Sequence, residues 1–282
     1  MLKWIYQALL VCSLPWVYVR LRWRALEEPE YGRRIAERFG HVPREVPRGP
    51  IWLHTVSAGE TIAAAGLIRQ LTEEFTEIPF LVTTMTPTGS AQVREKLADC
   101  VAHCYAPYDF RWGVKRFFDA VEPRLLVLME TELWPNLIDE AWQRDVPVLL
   151  VNARLSERSA KGYNRVSSVT RPMLSQLRFV ACQYQSHAER FINIGADPAR
   201  VAVFGNVKFD IELPRDHKER ARHLRTAWGL GNRRVWIAGS THPGEEDVVL
   251  EAHRLVRDRH PDACLLLVPR HPSRTEEVVA LA

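Results

Sequence analysis

Glu60 stands where an apolar run of the sequence gives way to a helical pattern. The run covers residues 51–56, and Gly59 lets the backbone turn tightly just before the acid. A helix dipole holds a first-turn carboxylate ionised, so we expect a pKa at or below the usual range and an exposed side chain in a cleft. Such a base could take a proton from a substrate hydroxyl. A first-turn glutamate that only benefits from the dipole explains the pattern equally well.

Further polar side chains follow later apolar runs. Glu130 and Glu132 come after one run, beside Trp134, and Lys208 follows another in "GNVKFD". Glu132 could line a polar cleft, or it could cap the helix that begins at Pro135. Lys208 could bind a carboxylate or a phosphate, or it could be a plain surface lysine. Taken one at a time, these residues are more often structural than functional.

The last part of the sequence contains two more polar turns. "AGSTHPGEE" includes Ser240 and His242, and "LLLVPRHPSR" includes Arg270 and His271. Each turn follows an apolar run, as the earlier polar turns do. The repetition of this arrangement along the chain favours a functional role for the polar residues as a group.

The apolar runs predict strands, and the amphipathic stretches between them predict helices. Continuous apolar strands that alternate with helices indicate a parallel sheet covered on both faces, an α/β fold. Ligands of such sheets bind beyond the carboxyl ends of the strands. Ser90, in "TTMTPTGS", is expected to cap the helix after the second strand. The predicted strands are 51–56, 79–84, 101–105, 124–129, 147–151, 178–182 and 200–204.

The sequence predicts two domains after an N-terminal hydrophobic segment, residues 1–26. The first domain covers residues 27–210 and the second begins at 211, in the polar linker "IELPRDHKER". Residues 211–282 contain only two predicted strands, too few for an independent α/β domain. The sequence stops within a helical pattern, so we expect residue 282 to be a partial end and the second domain to be incomplete.

The basic charge of the chain is concentrated near its N-terminus. Residues 1–48 hold nine Lys or Arg and five Glu, an excess equal to the net charge of +4 of all 282 residues. This distribution argues against a nucleic-acid-binding protein and suits a segment that lies on anionic lipid. The five cysteines form no Cys-x-x-Cys pair. We interpret them as reduced thiols of the core, which indicates a cytosolic compartment.

Residues 4–19 are apolar and are followed by "RLRWR". Sixteen residues of helix span roughly 24 Å, less than the hydrocarbon core of a bilayer. We expect an anchor on the cytoplasmic face, either interfacial or barely spanning. A helix packed on the core of its own domain is the alternative. A signal peptide is less favoured, because one positive side chain precedes the segment and no small-x-small cleavage site follows it.

The chain resembles the 3-deoxy-D-manno-octulosonic acid (Kdo) transferases of Gram-negative bacteria. The resemblance extends from the hydrophobic segment to the last residue. Seven motifs follow that family's order and approximate spacing: "WLHTVSAGE", "TTMTPTGS", "ETELWPNLI", "NARLSERS", "GNVKFD", "AGSTHPGEE" and "LLLVPRHPSR".

This resemblance implies a glycosyltransferase of the GT-B type, with two Rossmann-like domains. The donor would be CMP-Kdo and the acceptor the lipid A precursor lipid IVA, on the cytoplasmic face of the inner membrane. The first domain would bind the acceptor and the second most of the donor. The reaction would invert the anomeric centre and would need neither a cofactor nor a metal. Members of the family continue through a nucleotide-binding region that this sequence lacks, so we expect a complete acceptor half and an incomplete donor half.

The resemblance also implies roles for individual residues. Glu60 would be the general base, Gly59 would shape its loop and Glu132 would line the same cleft. Lys208 would lie at the crossing between the domains as the partner of a carboxylate or phosphate. The residues expected to face the donor are Ser240, His242, Arg270 and His271.

Two other functions remain open from the sequence. One is a different GT-B sugar-nucleotide enzyme, such as a UDP-sugar transferase or an epimerase, because fold alone does not separate these activities. The other is a non-catalytic protein that binds glycolipid at the membrane surface.

Overall fold

The computed structural model describes residues 2–210 and 216–282. The chain separates into a first unit, Met1–Glu212, and a second unit, Leu213–Ala282. This division lies two residues beyond the boundary that the sequence predicts. Met1 and residues 211–215, the start of the predicted linker, lie outside the described residues. We describe each unit by itself.

Seven strands form the sheet in the described part of the first unit, and they lie where the apolar runs predict them. They are β1 (Ile51–His54), β2 (Phe80–Thr84), β3 (Ala102–Tyr105), β4 (Leu125–Met129), β5 (Val148–Ala153), β6 (Phe179–Cys182) and β7 (Val201–Val203).

Within residues 2–210, eight α-helices accompany these strands, together with short 3-10 helices at Pro29–Gly32, Ile35–Phe39, Pro198–Arg200 and Val207–Phe209. The α-helices are α1 (Leu2–Glu27), α2 (Ala58–Glu74), α3 (Pro87–Leu97), α4 (Arg111–Val121), α5 (Pro135–Gln143), α6 (Glu157–Arg165), α7 (Ser167–Ser175) and α8 (Gln185–Asn193).

The sheet is parallel, in the order β3-β2-β1-β4-β5-β6-β7. The chain builds outward from β1 to β3 and then returns to place β4 on the other side of β1. The direction of the connections therefore reverses between β1 and β4, which is where open α/β sheets bind ligands. The two strands end level with each other, since His54 pairs with Leu128. Residues just after β1 and β4 therefore meet at one crevice.

Both faces of the sheet are buried, which explains why its strands read as continuous apolar runs. Trp52 and Leu126 contribute to one hydrophobic cluster. Their neighbours Leu53 and Val127 contribute to a second cluster. Successive side chains of a strand point to opposite faces, so the two clusters lie on the two sides of the sheet.

Helix α1 lies against the first unit along one side, as the alternative interpretation of this segment expects. Leu21 is buried, and the Tyr6 hydroxyl donates a hydrogen bond to Asp109 Oδ2 at 2.7 Å. Its other side is uncovered, so Cys12 is exposed rather than part of the core, whereas Cys104 and Cys182 are buried. Within residues 2–210 and 216–282, no helix combines the length and the apolar content that crossing a bilayer requires.

The second unit contains two parallel strands and three α-helices among its described residues. The sequence predicts both strands. The elements are α9 (His217–Ala227), β8 (Val235–Thr241), α10 (Glu245–Arg259), β9 (Cys264–Pro269) and α11 (Thr275–Leu281), with a 3-10 helix at Pro272–Arg274.

Candidate active site

Glu60 lies in the first turn of α2, where the chain leaves β1. Its carboxylate accepts two hydrogen bonds at 2.9 Å, one from the backbone N–H of Val56 and one from the Ser57 hydroxyl. Ser57 also caps the helix by accepting a bond from the Glu60 backbone N–H. The acid is therefore folded back over the end of β1 and held in one orientation.

The expected exposure and pKa of Glu60 are wrong. The residue is only 9% exposed. Burial raises the pKa of its carboxyl to about 7, although the hydrogen bonds from Val56 and Ser57 oppose the shift. Glu132 and Glu130 raise the pKa further because they carry like charge. Loss of hydration and neighbouring acids thus outweigh the helix dipole.

Gly59 does not provide the tight turn that the sequence suggested. It is the second residue of α2, and its φ is not positive. A Cβ built at this position would meet only Ser57 Oγ, at 3.9 Å. The glycine therefore leaves an opening beside Glu60 rather than supplying an unusual backbone conformation.

A cavity of about 510 Å³ lies between α1 and the carboxyl end of the sheet. Its wall on the sheet side includes Val56, the residue that holds the Glu60 carboxylate, and Thr86 after β2. Its wall on the α1 side includes Arg20 and Arg24. The remaining lining residues are Tyr6, Trp16, Val17, Leu21, Tyr31, Met85, Tyr108, Asp109, Leu133, Trp134 and Pro135.

Glu132 follows β4 and is hydrogen-bonded to Trp134, which lines the same cavity. Its Oε2 accepts a hydrogen bond from the Trp134 indole N–H at 2.8 Å. Burial raises the pKa of its carboxyl. The alternative that Glu132 caps α5 is wrong, because Asp109 accepts the bonds from the backbone N–H groups of Asn136 and Leu137.

Glu130 forms ion pairs with Arg154 and Lys208 at this edge of the sheet. The buried carboxylate lies 2.7 Å from an Arg154 nitrogen and 3.9 Å from Lys208 Nζ. Its φ of 58° is left-handed, as is that of Asn152 at 53°. Two non-glycine residues in this region, at the ends of adjacent strands, mark local strain of the kind found at functional sites.

Ser90 does not cap α3. Thr86 is the cap, since its hydroxyl accepts a bond from the Gly89 backbone N–H. Ser90 lies one turn inside the helix and bonds to His103 Nε2 at 2.8 Å and to Arg34 at 3.2 Å. A serine four residues after a threonine could not be distinguished as the cap from sequence alone.

The four expected residues of the second unit lie at the carboxyl ends of β8 and β9. Ser240 is exposed and has a left-handed φ of 62°. The rings of His242 and His271 are 6.4 Å apart, edge to face. Arg270 is exposed, and its backbone N–H donates to the Thr241 carbonyl.

The structure thus brings the predicted residues together within each unit. Glu60, Glu132 and Lys208 share the edge of the first sheet, and Ser240, His242, Arg270 and His271 share that of the second. No group of three or more His, Cys, Asp or Glu among the described residues is arranged to hold a metal ion.

Sequence reasoning assigned no role to Asp109, which is buried and holds both Tyr6 and α5. Burial raises the pKa of its carboxyl to about 6, against the hydrogen bonds it accepts. Asn136 is 27 residues later in the chain, and Tyr6 is 103 residues earlier. No local sequence signal could have identified these contacts.

A sequence model of the family described as 3-deoxy-D-manno-octulosonic-acid transferase (kdotransferase) matches residues 33–211. The 3-deoxy-D-manno-octulosonic acid transferase of Haemophilus influenzae is 37% identical over 284 residues, covering all of this chain and 66% of that protein. The chain belongs to the Kdo transferase family. The Bordetella pertussis member is 34% identical over 255 residues, 86% of this chain and 58% of that protein. The chain therefore spans 66% and 58% of the length of these two relatives.

Solved structures show that this Kdo transferase family member has a GT-B type fold. The UDP-GlcNAc 2-epimerase of Neisseria meningitidis matches with a TM-score of 0.60 at 13% identity, over 82% of this chain and 69% of that one. A glycosyltransferase from Rickettsia africae matches with a TM-score of 0.54 at 13% identity, over 83% and 64%. At such identities the likeness concerns the fold alone.

Proposed function

We propose that the protein transfers Kdo from CMP-Kdo to lipid IVA, with inversion at the anomeric carbon and with Glu60 as the general base. Membership of the Kdo transferase family supports Kdo as the transferred sugar. The observation that carries the assignment of the base is the Glu60 carboxylate, bonded to Val56 in the wall of a 510 Å³ cavity.

In the proposed reaction an acceptor hydroxyl oxygen attacks the anomeric carbon of Kdo. Its proton passes to Glu60, and the bond between the anomeric carbon and the CMP phosphate oxygen breaks, with both electrons leaving on CMP. A base works best when its pKa is near the working pH. Burial gives Glu60 such a value, about 7, and this supports the role more strongly than an ordinary exposed glutamate would.

The acceptor sugar would occupy the cavity between α1 and the sheet. Its aromatic wall, which includes Trp16, Tyr31 and Tyr108, suits the apolar faces of sugar rings. Glu132 would line the same region through Trp134. Large apolar side chains exposed on α1 offer a surface that acyl chains of the acceptor could follow.

The donor would bind the second unit through Ser240, His242, Arg270 and His271. Negative charge develops on the phosphate as CMP leaves, and Arg270 would stabilise that charge. Lys208 is half exposed and lies at the long limit of an ion pair with Glu130, so it can exchange this partner for an anion of the substrate.

The protein would act on the cytoplasmic face of the inner membrane, held there by α1. Arg20, Arg22 and Arg24 are exposed near the end of this helix. Basic side chains beside exposed aromatic ones favour the interface of an anionic bilayer. The large apolar residues exposed on α1 are Ile5, Leu9, Val11, Trp16, Tyr18, Val19, Trp23 and Leu26.

Incubation of the protein at its natural length with lipid IVA and CMP-Kdo tests this proposal. We expect a product heavier than lipid IVA by one or more Kdo units, and mass spectrometry also gives their number. Parallel reactions with lipid IVA and UDP-sugars test the alternative of a UDP-sugar transferase. Reactions with a UDP-sugar and no acceptor test the alternative of an epimerase. Binding of lipid IVA without any product from these donors would instead support a non-catalytic glycolipid-binding protein.

A further inference from the structure

Arg154 lies at the carboxyl edge of the first sheet, close to the candidate base. It follows β5 directly, in "NARLSERS", and its Nη2 lies 2.7 Å from Glu130 Oε2. Glu130 follows β4, and its charge acts on Glu60, which lies beyond the end of β1. Because β4 lies between β1 and β5, the turns that carry Glu60 and Arg154 flank the turn that carries Glu130.

The ion pairs of Glu130 leave their basic members open to solvent. The Glu130 side chain is only 8% exposed, whereas those of Arg154 and Lys208 are 57% and 49% exposed. The distance from Lys208 Nζ to Glu130 Oε1 is 3.9 Å, at the long limit of an ion pair. A guanidinium has five N–H donors, and no described residue other than Glu130 pairs with that of Arg154. Both cations can therefore bind a second anion.

Backbone contacts fix the turns that carry the two cations. The Arg154 backbone N–H donates to the Glu130 carbonyl at 3.4 Å. The side chain of Asn152, which is buried and has a left-handed φ of 53°, accepts a hydrogen bond from the Val207 backbone N–H at 3.3 Å. Val207 begins the 3-10 helix that carries Lys208. The cations thus converge on Glu130 because the ends of the strands hold them there.

The chemistry of Kdo calls for a cation close to the base. Kdo is a sugar acid whose carboxylate is attached to the anomeric carbon, the atom that the acceptor hydroxyl attacks. A carboxylate at that place would be repelled by the acids of the site, Glu60, Glu130 and Glu132. Among the residues that the structure describes, Arg154 and Lys208 are the basic side chains that pair with any of these acids.

We propose that Arg154, with Lys208 beside it, forms a subsite for the carboxylate of Kdo. This inference rests on the proposed function, because it assigns a part of the transferred sugar. Strands β1 and β5 are separated by β4 and so lie about 10 Å apart. Guanidinium groups bind carboxylates through paired, charge-assisted hydrogen bonds. Such a subsite would favour a sugar acid over a neutral sugar as the transferred group.

The reaction product retains this carboxylate, so its binding tests the subsite without a donor. Kdo-lipid IVA is compared with its methyl ester, in which the carboxyl group is neutral and the phosphates are unchanged. The wild type at its natural length, in detergent, should bind the acid about 10- to 100-fold more tightly than the ester. Equal affinities in the wild type would overturn the proposal.

Variants of the two cations should remove this preference in steps. Arg154→Gln should lose most of it, and Arg154→Gln with Lys208→Gln should bind the acid no more tightly than the ester. Arg154→Lys should retain part of it, because lysine keeps the charge but not the paired donors. A wild-type preference in the double variant would refute the subsite.

Two variants separate the loss of a binding group from the loss of an ion pair. Glu130→Gln should keep or increase the preference, since it frees both cations from a competing carboxylate. A loss as large as that of Arg154→Gln would show that the ion pair itself matters, and would refute the subsite. The matched control Arg48→Gln should keep the full preference, because it removes an exposed arginine that pairs with Glu122 and lies before β1, at the amino edge of the sheet.

Lipid IVA without Kdo distinguishes the sugar carboxylate from the phosphates of the acceptor. Arg154→Gln should bind lipid IVA as tightly as the wild type does, because the subsite serves only the Kdo residue. A loss of affinity for lipid IVA as large as that for the product would assign Arg154 to an acceptor phosphate and refute the subsite.

The binding assay separates failure of the subsite from failure of the proposed reaction. If the wild type distinguishes the acid from the ester but transfers no Kdo from CMP-Kdo, the reaction is wrong and the subsite stands. If the wild type transfers Kdo but binds the acid and the ester equally, the reaction stands and the subsite is refuted.

Discussion

The carboxylate of Glu60 lies 2.9 Å from the backbone nitrogen of Val56, and Val56 lines the cavity between α1 and the sheet. This contact fixes the acid at the reversal point of the sheet, between β1 and β4. The same folding back removes the carboxylate from water and raises its pKa to about 7. The position of the candidate base and its proton affinity thus have one structural cause.

The acid limb of the pH profile of kcat/KM should report the ionisation of Glu60. Transfer requires the ionised carboxylate, so kcat/KM should rise with pH through an apparent pKa of about 7. The Ser57 hydroxyl favours the ionised form, so Ser57→Ala should move this limb to higher pH, whereas Ser57→Thr should leave it nearly in place. An unchanged limb in Ser57→Ala would show that Glu60 does not control it.

Replacement of Glu60 by Gln should have a pH-dependent effect on stability. Because burial raises the folded-state pKa above the usual value, ionisation destabilises the folded protein as pH rises from about 4.5 to about 7. The stability of Glu60→Gln relative to wild type should therefore increase across this range and level off above it. Urea midpoints at several pH values measure the difference. A flat difference for Glu60→Gln would contradict the raised pKa.

A small side chain at Gly59 should leave the stability of the fold intact, whereas a large one should lower the rate of transfer. Its backbone is helical and a Cβ meets only Ser57 Oγ at 3.9 Å. Gly59→Ala should therefore leave the free energy of unfolding unchanged or raise it by up to about 1 kcal/mol. Gly59→Leu should fill the opening beside Glu60 and lower kcat/KM at least about tenfold, with the thermal midpoint preserved. Normal transfer by Gly59→Leu would place the acceptor elsewhere.

The two arginines of "VPRHPSR" should have different roles: Arg270 should bind the donor, and Arg274 should stabilise the fold. Arg274 is mostly buried and pairs with the fully buried Glu246 at 2.8 Å. Arg270 is exposed and forms no ion pair with the described residues. Arg270→Ala should weaken CMP binding while leaving the thermal midpoint unchanged, whereas Arg274→Ala should lower the midpoint. Calorimetry on both variants measures the two effects, and the opposite pattern would refute the assignment.

The positions of the strands and the burial of both faces of the sheet could be predicted from the sequence, because each strand of a covered parallel sheet is a continuous apolar run. The position of the site follows from the same pattern, since polar residues after β1 and β4 must meet at the carboxyl edge. Trp52 and Leu53, adjacent in the sequence, already indicate two buried faces.

The electrostatics of the site could not be predicted in this way. The pKa of Glu60 depends on how far its side chain folds back, and the helix dipole alone predicts the wrong direction. The cap of α5 is Asp109, which is 27 residues before Asn136 in the chain, rather than the nearby Glu132. The partner of Lys208 is Glu130, 78 residues earlier. Each of these contacts exists only once the sheet has brought distant turns together.

The most direct measurement is the rate of Kdo transfer from CMP-Kdo to lipid IVA by Glu60→Gln, compared with wild type. Glutamine keeps the size of the side chain but cannot accept the proton. We expect kcat to fall by about 10²- to 10⁴-fold, with little change in the affinity for lipid IVA. Transfer by Glu60→Gln at the rate of the wild type would contradict the role of Glu60 as general base.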